Sequence, residues 1–365
     1  MNDEKYMRVA FSLAQKGRDK TFPNPLVGAV VVKNSKIVGR GYHKQIGKSH
    51  AETNALTAAG KEAKGATLYV NLEPCSHFGR TPPCVDGIIK SGIKEVVCAT
   101  IDPNPKVNGA GIRWLGQAGI KVKLGVLEGQ ARKLNRLYFK QVLSGFPFVM
   151  LKIAQTLDGK IATVSGDSKW ISQKDSRRFS HRLRSQLDAV LVGVNTVIKD
   201  NPKLTAREAR GRNPFRIVLD SNGRVPLTSN LIRRNQDNKT IIVVADKKAE
   251  KKMKDKVEVW RVGLHGQKGI DLKALLKLAA EKGISSILVE GGRKIFTSFL
   301  REKLVDQIYC FVCPKIVGDG ISAFDSLGVK KISSALKMKV IKIERFTEDI
   351  LLIGYPDWRK RCSAE

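Results

Sequence analysis

Apolar positions recur at helical spacing over residues 5–17, at Tyr6, Val9, Ala10, Leu13 and Ala14, and stop at Gly17, which predicts an opening helix. Two strand-like runs follow, Val27 to Val32 and Lys36 to Gly41, with Asn34-Ser35 between them as a hairpin turn. Ser49 is expected to cap a helix that carries His50 and Glu52 in its first turn. Thr67 to Leu72 reads as a strand leading into Pro74-Cys75. Pro82-Pro83-Cys84 opens a helix that continues from Val85 to Lys90, because proline is tolerated in the first helical turn. A strand at Val96 to Ile101, a helix around Ile112 to Ala118 and a strand at Val122 to Val126 complete an alternating order that implies a layered α/β domain.

The pattern restarts after Ser144-Gly145-Phe146-Pro147, so a boundary near residue 145 is expected, with domains at 1–145 and 146–365. Strands are predicted at Phe148 to Ala154, Ala189 to Val194, Arg216 to Asp220, Thr240 to Ala245, Ser286 to Glu290 and Gln307 to Val312. Helical stretches fall near 173–186, 271–282 and 293–302. This is a second α/β domain, and no internal repeat links it to the first.

Composition narrows the class. The 365 residues suffice for two ordinary cores, and 42% hydrophobic with 27% charged residues describes a globular chain rather than a disordered one. No run of about 18 apolar residues suggests a membrane span. The polar start, Met1-Asn2-Asp3-Glu4-Lys5, shows no apolar signal core, and six scattered cysteines make no disulfide framework, so a reducing cytoplasmic setting is expected. A net charge of +32 favours anionic partners. Its lysines are dispersed, as at Lys247-Lys248 and Lys251-Lys252, which reads as a solvated surface rather than a specific nucleic-acid site.

The chemistry concentrates in His50-Ala51-Glu52, Pro74-Cys75 and Cys84. One imidazole and two thiolates make three tetrahedral zinc ligands with a corner left open, and zinc in such a site lowers the pKa of bound water to about 7. Glu52 is placed to take the proton from that water and hand it to a leaving amine, the arrangement of the zinc deaminases. A closed structural site completed by another residue, or three unrelated positions, are the alternatives. Generic deaminases use P-C-x-x-C, whereas eight residues, Ser76 to Pro83, separate these thiols.

Farther on, Ser286 to Glu290, Gly291-Gly292 and Lys294 to Leu300 read as strand, glycine turn and helix, which lets an anion approach backbone N–H groups. No G-x-G-x-x-G follows a strand, so a Rossmann site is not supported. Cys310 and Cys313 are three apart on a predicted strand and point to opposite faces, which argues against a shared metal. His181, among Arg182 and Arg184, reads as an exposed basic position. Trp170, Arg184 and Arg207 could line a site for a phosphorylated ligand, although the sequence does not bring them together.

Taken in order, these segments resemble the bifunctional riboflavin-biosynthesis deaminase/reductase family over nearly the whole chain. The resemblance is carried by Asn24-Pro25-Leu26-Val27-Gly28, Gly41-Tyr42-His43, His50-Ala51-Glu52, Leu72-Glu73-Pro74-Cys75-Ser76-His77 through Pro83-Cys84, and Asp102-Pro103-Asn104-Pro105 in the first half. In the second half it is carried by Leu151-Lys152 with Leu157-Asp158-Gly159-Lys160-Ile161-Ala162, Trp170-Ile171, Leu191 to Thr196, Asp200 to Thr205 and Val289-Glu290-Gly291-Gly292. The long spacer between the thiols is normal for that family.

The resemblance implies a cytidine-deaminase-like three-layer domain followed by a dihydrofolate-reductase-like domain. The first would use Zn2+ to deaminate a phosphorylated pyrimidine ribosylamine, with His50, Cys75 and Cys84 on zinc and Glu52 moving protons. Asn24, His43, Asp102 and Asn104 match base or ribosyl-phosphate contacts. The second would use NADPH to reduce the ribosyl group to ribityl. Positions matching NADP contacts are Ala154, Trp170, Thr196, Asp200 and the segment Gly292, Arg293, Lys294, Ile295, Phe296, Thr297 and Ser298. Those matching substrate contacts are Ser168, Arg184, Leu204, Arg207 and Glu290, with Lys152, Asp200 and Glu290 as proton-handling groups. A homo-oligomer with no membrane partner is expected.

Overall fold

The computed structural model describes residues 3–358 apart from 19, 22, 79–81, 254, 267 and 268. The chain forms two compact units, Met1–Phe146 and Pro147–Glu365. The middle of the predicted Ser76 to Pro83 spacer and one cysteine of the six, Cys362, lie outside the described residues.

In the first unit, α1 (Asp3–Gln15), the hairpin β1 (Gly28–Lys33) and β2 (Lys36–Tyr42), α2 (Ala51–Ala59), β3 (Thr67–Val70) and α3 (Cys84–Lys90) come first. Then follow β4 (Glu95–Cys98), α4 (Ala110–Gln117), β5 (Lys121–Leu124), α5 (Glu128–Leu134) and α6 (Arg136–Ser144). The sheet order is β2-β1-β3-β4-β5, with β1 antiparallel to both neighbours and β3, β4 and β5 parallel. Alternate strand residues face opposite ways. Val31, Leu68, Val70 and Val96 therefore pack on α2, α3 and α4, while Val30, Val32, Tyr69 and Val97 pack on α1 and α5. The result is helix, sheet, helix. Asn34 and Ser35 both have positive φ, 47° and 62°, as a tight hairpin turn with the twist of the strands requires.

Strand β2 lies hard against α2. A Cβ on Gly41 would stand 2.2 Å from the Ala51 carbonyl oxygen and 2.4 Å from the Ala55 nitrogen. Gly41→Ala should therefore push α2 outward at a cost of about 1–3 kcal/mol. Thermal unfolding should show the loss, and the displacement should reach His50 and Glu52, which stand at the start of α2.

The second unit runs β6 (Phe148–Thr156), β7 (Lys160–Thr163), α7 (Lys174–Gln186), β8 (Ala189–Gly193), α8 (Val194–Asp200), β9 (Phe215–Leu219), α9 (Asn230–Arg233), β10 (Thr240–Val244) and α10 (Lys247–Met253). It continues with β11 (Glu258–Arg261), α11 (Leu272–Glu281), β12 (Ser286–Val289), α12 (Arg293–Arg301), β13 (Gln307–Cys313), β14 (Gly320–Ser322), β15 (Met338–Phe346) and β16 (Asp349–Pro356). Nine strands form one sheet, β11-β10-β9-β8-β12-β6-β13-β16-β15, and β14 pairs with β7 apart from it. The first seven are parallel and the β16-β15 hairpin is antiparallel.

Two expectations need correction. Ser49 does not cap α2: His50 occupies the cap position with no side-chain cap, because its imidazole turns toward Cys75 and Cys84, and the Ser49 carbonyl receives the Asn54 amide instead. His181 is not exposed. It is 4% accessible on the inner face of α7, where its ring Nδ1 meets the Thr205 carbonyl at 2.9 Å.

Candidate active sites

The site of the first unit sits where the parallel strands β3 and β4 end, the edge at which open α/β sheets place their ligands. His50 enters from the start of α2, Cys75 from the turn after β3, and Cys84 from the first residue of α3. His50 Nδ1 is 3.2 Å from Cys84 Sγ and 3.5 Å from Cys75 Sγ, and the three donor atoms all lie within 4.8 Å of one another. Tetrahedral zinc, with bonds of about 2.0 Å to nitrogen and about 2.3 Å to sulfur, holds such atoms about 3.5 Å apart, so the donor set fits that ion. Among the described residues no fourth histidine, cysteine or acidic donor joins the trio. Three donors on a tetrahedral ion would leave one corner for water.

The electrostatics suit the same reading. A hydrogen bond from Cys84, joined by one from His50, pulls the Cys75 thiol well below its ordinary value, while Cys84 is pushed up as the donor of the pair. The Cys75 hydrogen bond raises His50. Glu52 is 3% accessible, and burial, followed by the charge of Cys75, lifts its carboxyl to about 7. A carboxyl there can both accept and release a proton near neutrality.

Around this cluster the structure assembles the other first-half candidates. Asn24 meets His43 Nε2 at 3.1 Å, and the buried His43 ring packs edge-on against His50 at 5.4 Å between centroids. Burial holds His43 below the usual imidazole value. Asp102 is buried, and burial raises its carboxyl. The Tyr138 hydroxyl on α6 donates to both its oxygens, at 2.9 and 3.1 Å, and the Asn104 amide donates to one at 2.9 Å.

Three residues given no role from the sequence organise this edge. Glu73 Oε2 accepts the Asp102 and Gly109 amides at 3.1 and 2.9 Å, and Oε1 accepts that of Ile112 at 3.3 Å, so one buried carboxylate caps α4 and fixes the loop bearing Asp102. Close packing reinforces it, since a Cβ on Gly111 would come within 2.1 Å of the Pro74 carbonyl oxygen. Asn71 and Asn135 each bridge the backbone of the segment that carries Asn24, Asn71 through Gly28 and Leu26 and Asn135 through both polar groups of Leu26. The available signal was a carboxylate and an amide standing at the end of an apolar strand, Val70-Asn71-Leu72-Glu73.

In the second unit Arg184 on α7 forks onto Glu290 after β12, Nε to Oε1 at 2.8 Å and Nη2 to Oε2 at 2.5 Å. The side chains are 14% and 7% accessible. Burial alone would raise Glu290, but the Arg184 charge and hydrogen bonds outweigh it and hold the carboxyl below its ordinary value. Lys152 on β6 feels both charges, and burial of its ammonium lowers its pKa. Sequence alone did not pair Arg184 with Glu290; Arg184 was expected to reach a phosphate.

The remaining candidates divide. Asp200 is exposed at the end of α8 and is not part of this buried group; Trp170 is 61% accessible with Arg177 stacked on it, and Arg207 is exposed. Ala154, Ser168 and Thr196 are half-buried. Within 292–298, Gly292 has φ 73° and precedes α12, whose first turn has no side-chain cap, while Phe296 and Thr297 turn inward and are buried. A glycine at the cap position has no side chain with which to cap the first N–H groups of α12.

Residues 1–100 match the cytidine and deoxycytidylate deaminase zinc-binding region, and residues 147–352 match the RibD C-terminal domain. The riboflavin biosynthesis protein RibD of Aquifex aeolicus is 51% identical over 354 residues, which span 96% of this chain and 97% of that protein. This chain belongs to the RibD family. The RibD protein of Escherichia coli K12 is 39% identical over 96% of this chain and 99% of its own. Among solved structures, a diaminohydroxyphosphoribosylaminopyrimidine deaminase/5-amino-6-(5-phosphoribosylamino)uracil reductase of Thermotoga maritima is 41% identical with a TM-score of 0.85, covering 97% of this chain and 99% of that one. Acinetobacter baumannii RibD is 35% identical with a TM-score of 0.87 over 98% of this chain and 99% of its own.

As a RibD-family enzyme of riboflavin biosynthesis, the chain couples a zinc-dependent deaminase domain of cytidine-deaminase-like fold to an NADPH-dependent reductase domain of dihydrofolate-reductase-like fold. The expected fold, activities and cofactors stand. Among the described residues no helix is long and apolar enough to cross a membrane.

Proposed function

We propose that the first domain hydrolyses the amino group of 2,5-diamino-6-ribosylamino-4(3H)-pyrimidinone 5′-phosphate and that the second reduces the ribosyl group of the product to ribityl. The observation that carries the first step is the convergence of His50, Cys75 and Cys84 beside the buried Glu52. Zinc on that trio supplies acidification of a water molecule at neutral pH. Glu52 takes the water's proton and passes one to the departing nitrogen, which leaves as ammonia while oxygen takes its place on the ring. Asn24, His43, Asp102 and Asn104 hold the base and ribosyl phosphate; Tyr138 and Glu73 keep Asp102 and its loop in place.

For the second step NADPH supplies the hydride that C1′ accepts. The C1′ bond to the ring oxygen breaks, and that oxygen needs a proton. Lys152, lowered by burial, is the group we assign to deliver it, with the ionised Glu290 keeping the ammonium near the reacting carbon. Ala154, Trp170, Thr196, Asp200 and the start of α12 contact the dinucleotide, and Ser168, Leu204 and Arg207 contact the substrate. With Arg184 committed to Glu290, the exposed guanidinium of Arg207 is the group we assign to the substrate phosphate. We propose a homo-oligomer acting in a reducing, cytoplasmic setting, on a phosphorylated small molecule rather than nucleic acid.

Incubation with the diaminopyrimidinone and NADPH tests the reading directly: mass spectra should show replacement of amine by oxygen, then gain of two hydrogens. Deamination of an oligonucleotide instead would refute it. Dialysis against a strong chelator should remove about one zinc per chain and abolish deamination, while pre-deaminated substrate is still reduced. Reduction lost in parallel with zinc would contradict the assignment of the ion to His50, Cys75 and Cys84.

A further inference from the structure

The segment from Leu204 to Glu208 adopts a conformation that needs outside support. Leu204 has φ 51°, the left-handed region that residues bearing a side chain avoid, and its side chain is buried. The next carbonyl, that of Thr205, accepts two hydrogen bonds from one face of α7: His181 Nδ1 at 2.9 Å and Arg184 Nη1 at 3.3 Å. His181 and Arg184 are three residues apart, which sets them side by side on the helix. On the far side of the segment, the Ala206 amide donates to Asn213 Oδ1 at 3.1 Å.

The two groups on α7 are not equivalent. Arg184 is shared with Glu290, whereas His181 turns both ring nitrogens to this segment, Nδ1 to Thr205 and Nε2 to Glu208 Oε1 at 3.5 Å. A carbonyl partner places the proton of a neutral ring on Nδ1. The buried histidine thus supplies a fixed, directional donor with no other described task.

We propose that His181 is a positioning residue of the reductase domain, its Nδ1–H holding the Thr205 carbonyl so that Leu204 and Arg207 meet the phosphorylated substrate in register. The inference rests on the reading of Leu204 and Arg207 as substrate contacts. His181 acts through the Thr205 carbonyl, so its loss should act on substrate binding alone. In the full-length zinc-loaded enzyme, steady-state reduction of pre-deaminated substrate should be compared for wild type, His181→Ala, His181→Asn and Arg207→Ala.

His181→Ala should raise KM for that substrate roughly tenfold, the order expected when a buried hydrogen bond is lost, with kcat and the KM for NADPH unchanged. His181→Asn carries an amide N–H where the ring has Nδ1 and should restore most of the loss. Unchanged substrate KM in His181→Ala with a raised value in Arg207→Ala would overturn the inference and leave the substrate reading standing. Unchanged KM in both variants would overturn the two together. A parallel fall in kcat, both KM values and thermal stability, with no recovery in His181→Asn, would mark His181 as purely structural and also overturn it.

Discussion

Glu52→Gln should lose deamination by about 100- to 10,000-fold, the range that a positioned proton carrier contributes, while reduction of pre-deaminated substrate stays at the wild-type rate. The variant should also fold at least as stably as the wild type. Glu52 is almost wholly buried, so its carboxyl is held at the cost of desolvation, and glutamine keeps the volume without the charge. Single-turnover deamination, NADPH consumption and denaturant unfolding on one preparation check all three statements. Retained deamination would remove Glu52 from the mechanism, and a large loss of stability would show that its carboxylate is a structural partner.

Arg184→Ala should destabilise the second unit by about 3–5 kcal/mol, because Glu290 would keep its charge in a site 7% accessible with its forked partner gone. Arg184→Met combined with Glu290→Met should regain much of that stability but no reductase activity, since replacing both members leaves no unpaired charge. The pair also carries a pH signature. Glu290 is depressed below its ordinary 4.5 in the folded state, so its contribution is fully present above about 4.5 and is lost as pH falls through the lower folded value. The stability gap between wild type and the double variant should shift over that acid window in the direction of losing the pair's contribution. A gap constant with pH, or an Arg184→Ala cost within that of a surface substitution, would show the ion pair to be dispensable.

How legible the molecule was depends on the range of the interaction. The hairpin at Asn34-Ser35, the strands β1, β6, β8, β10 and β12, and the helices carrying Glu52 and following Cys84 follow from periodicity and turn chemistry, which act over a few residues. Neither β15 nor β16 is among the predicted strands: adjacent apolar residues, Val340-Ile341 and Ile350-Leu351-Leu352-Ile353, break strict alternation, and the pairing of the two segments with each other is what makes β15 a strand. The short β7, β11 and β14 are only three or four residues long, too few for a period to show, and α8 hides behind the apolar run of β8.

The sequence by itself marked the candidate zinc donors and proton carrier: one imidazole, two thiols and a carboxylate are recognisable by type and order wherever the chain takes them. Only the tertiary structure decided who supports them. Glu73 reaches the amides of Asp102, Gly109 and Ile112, Tyr138 reaches Asp102, Arg184 pairs with Glu290, and His181 turns inward to Thr205. Each of those bonds joins residues that β/α crossovers and packing bring together from more than twenty positions apart. A local pattern records which way a side chain faces on its own element, and it holds no information about the partner that waits there.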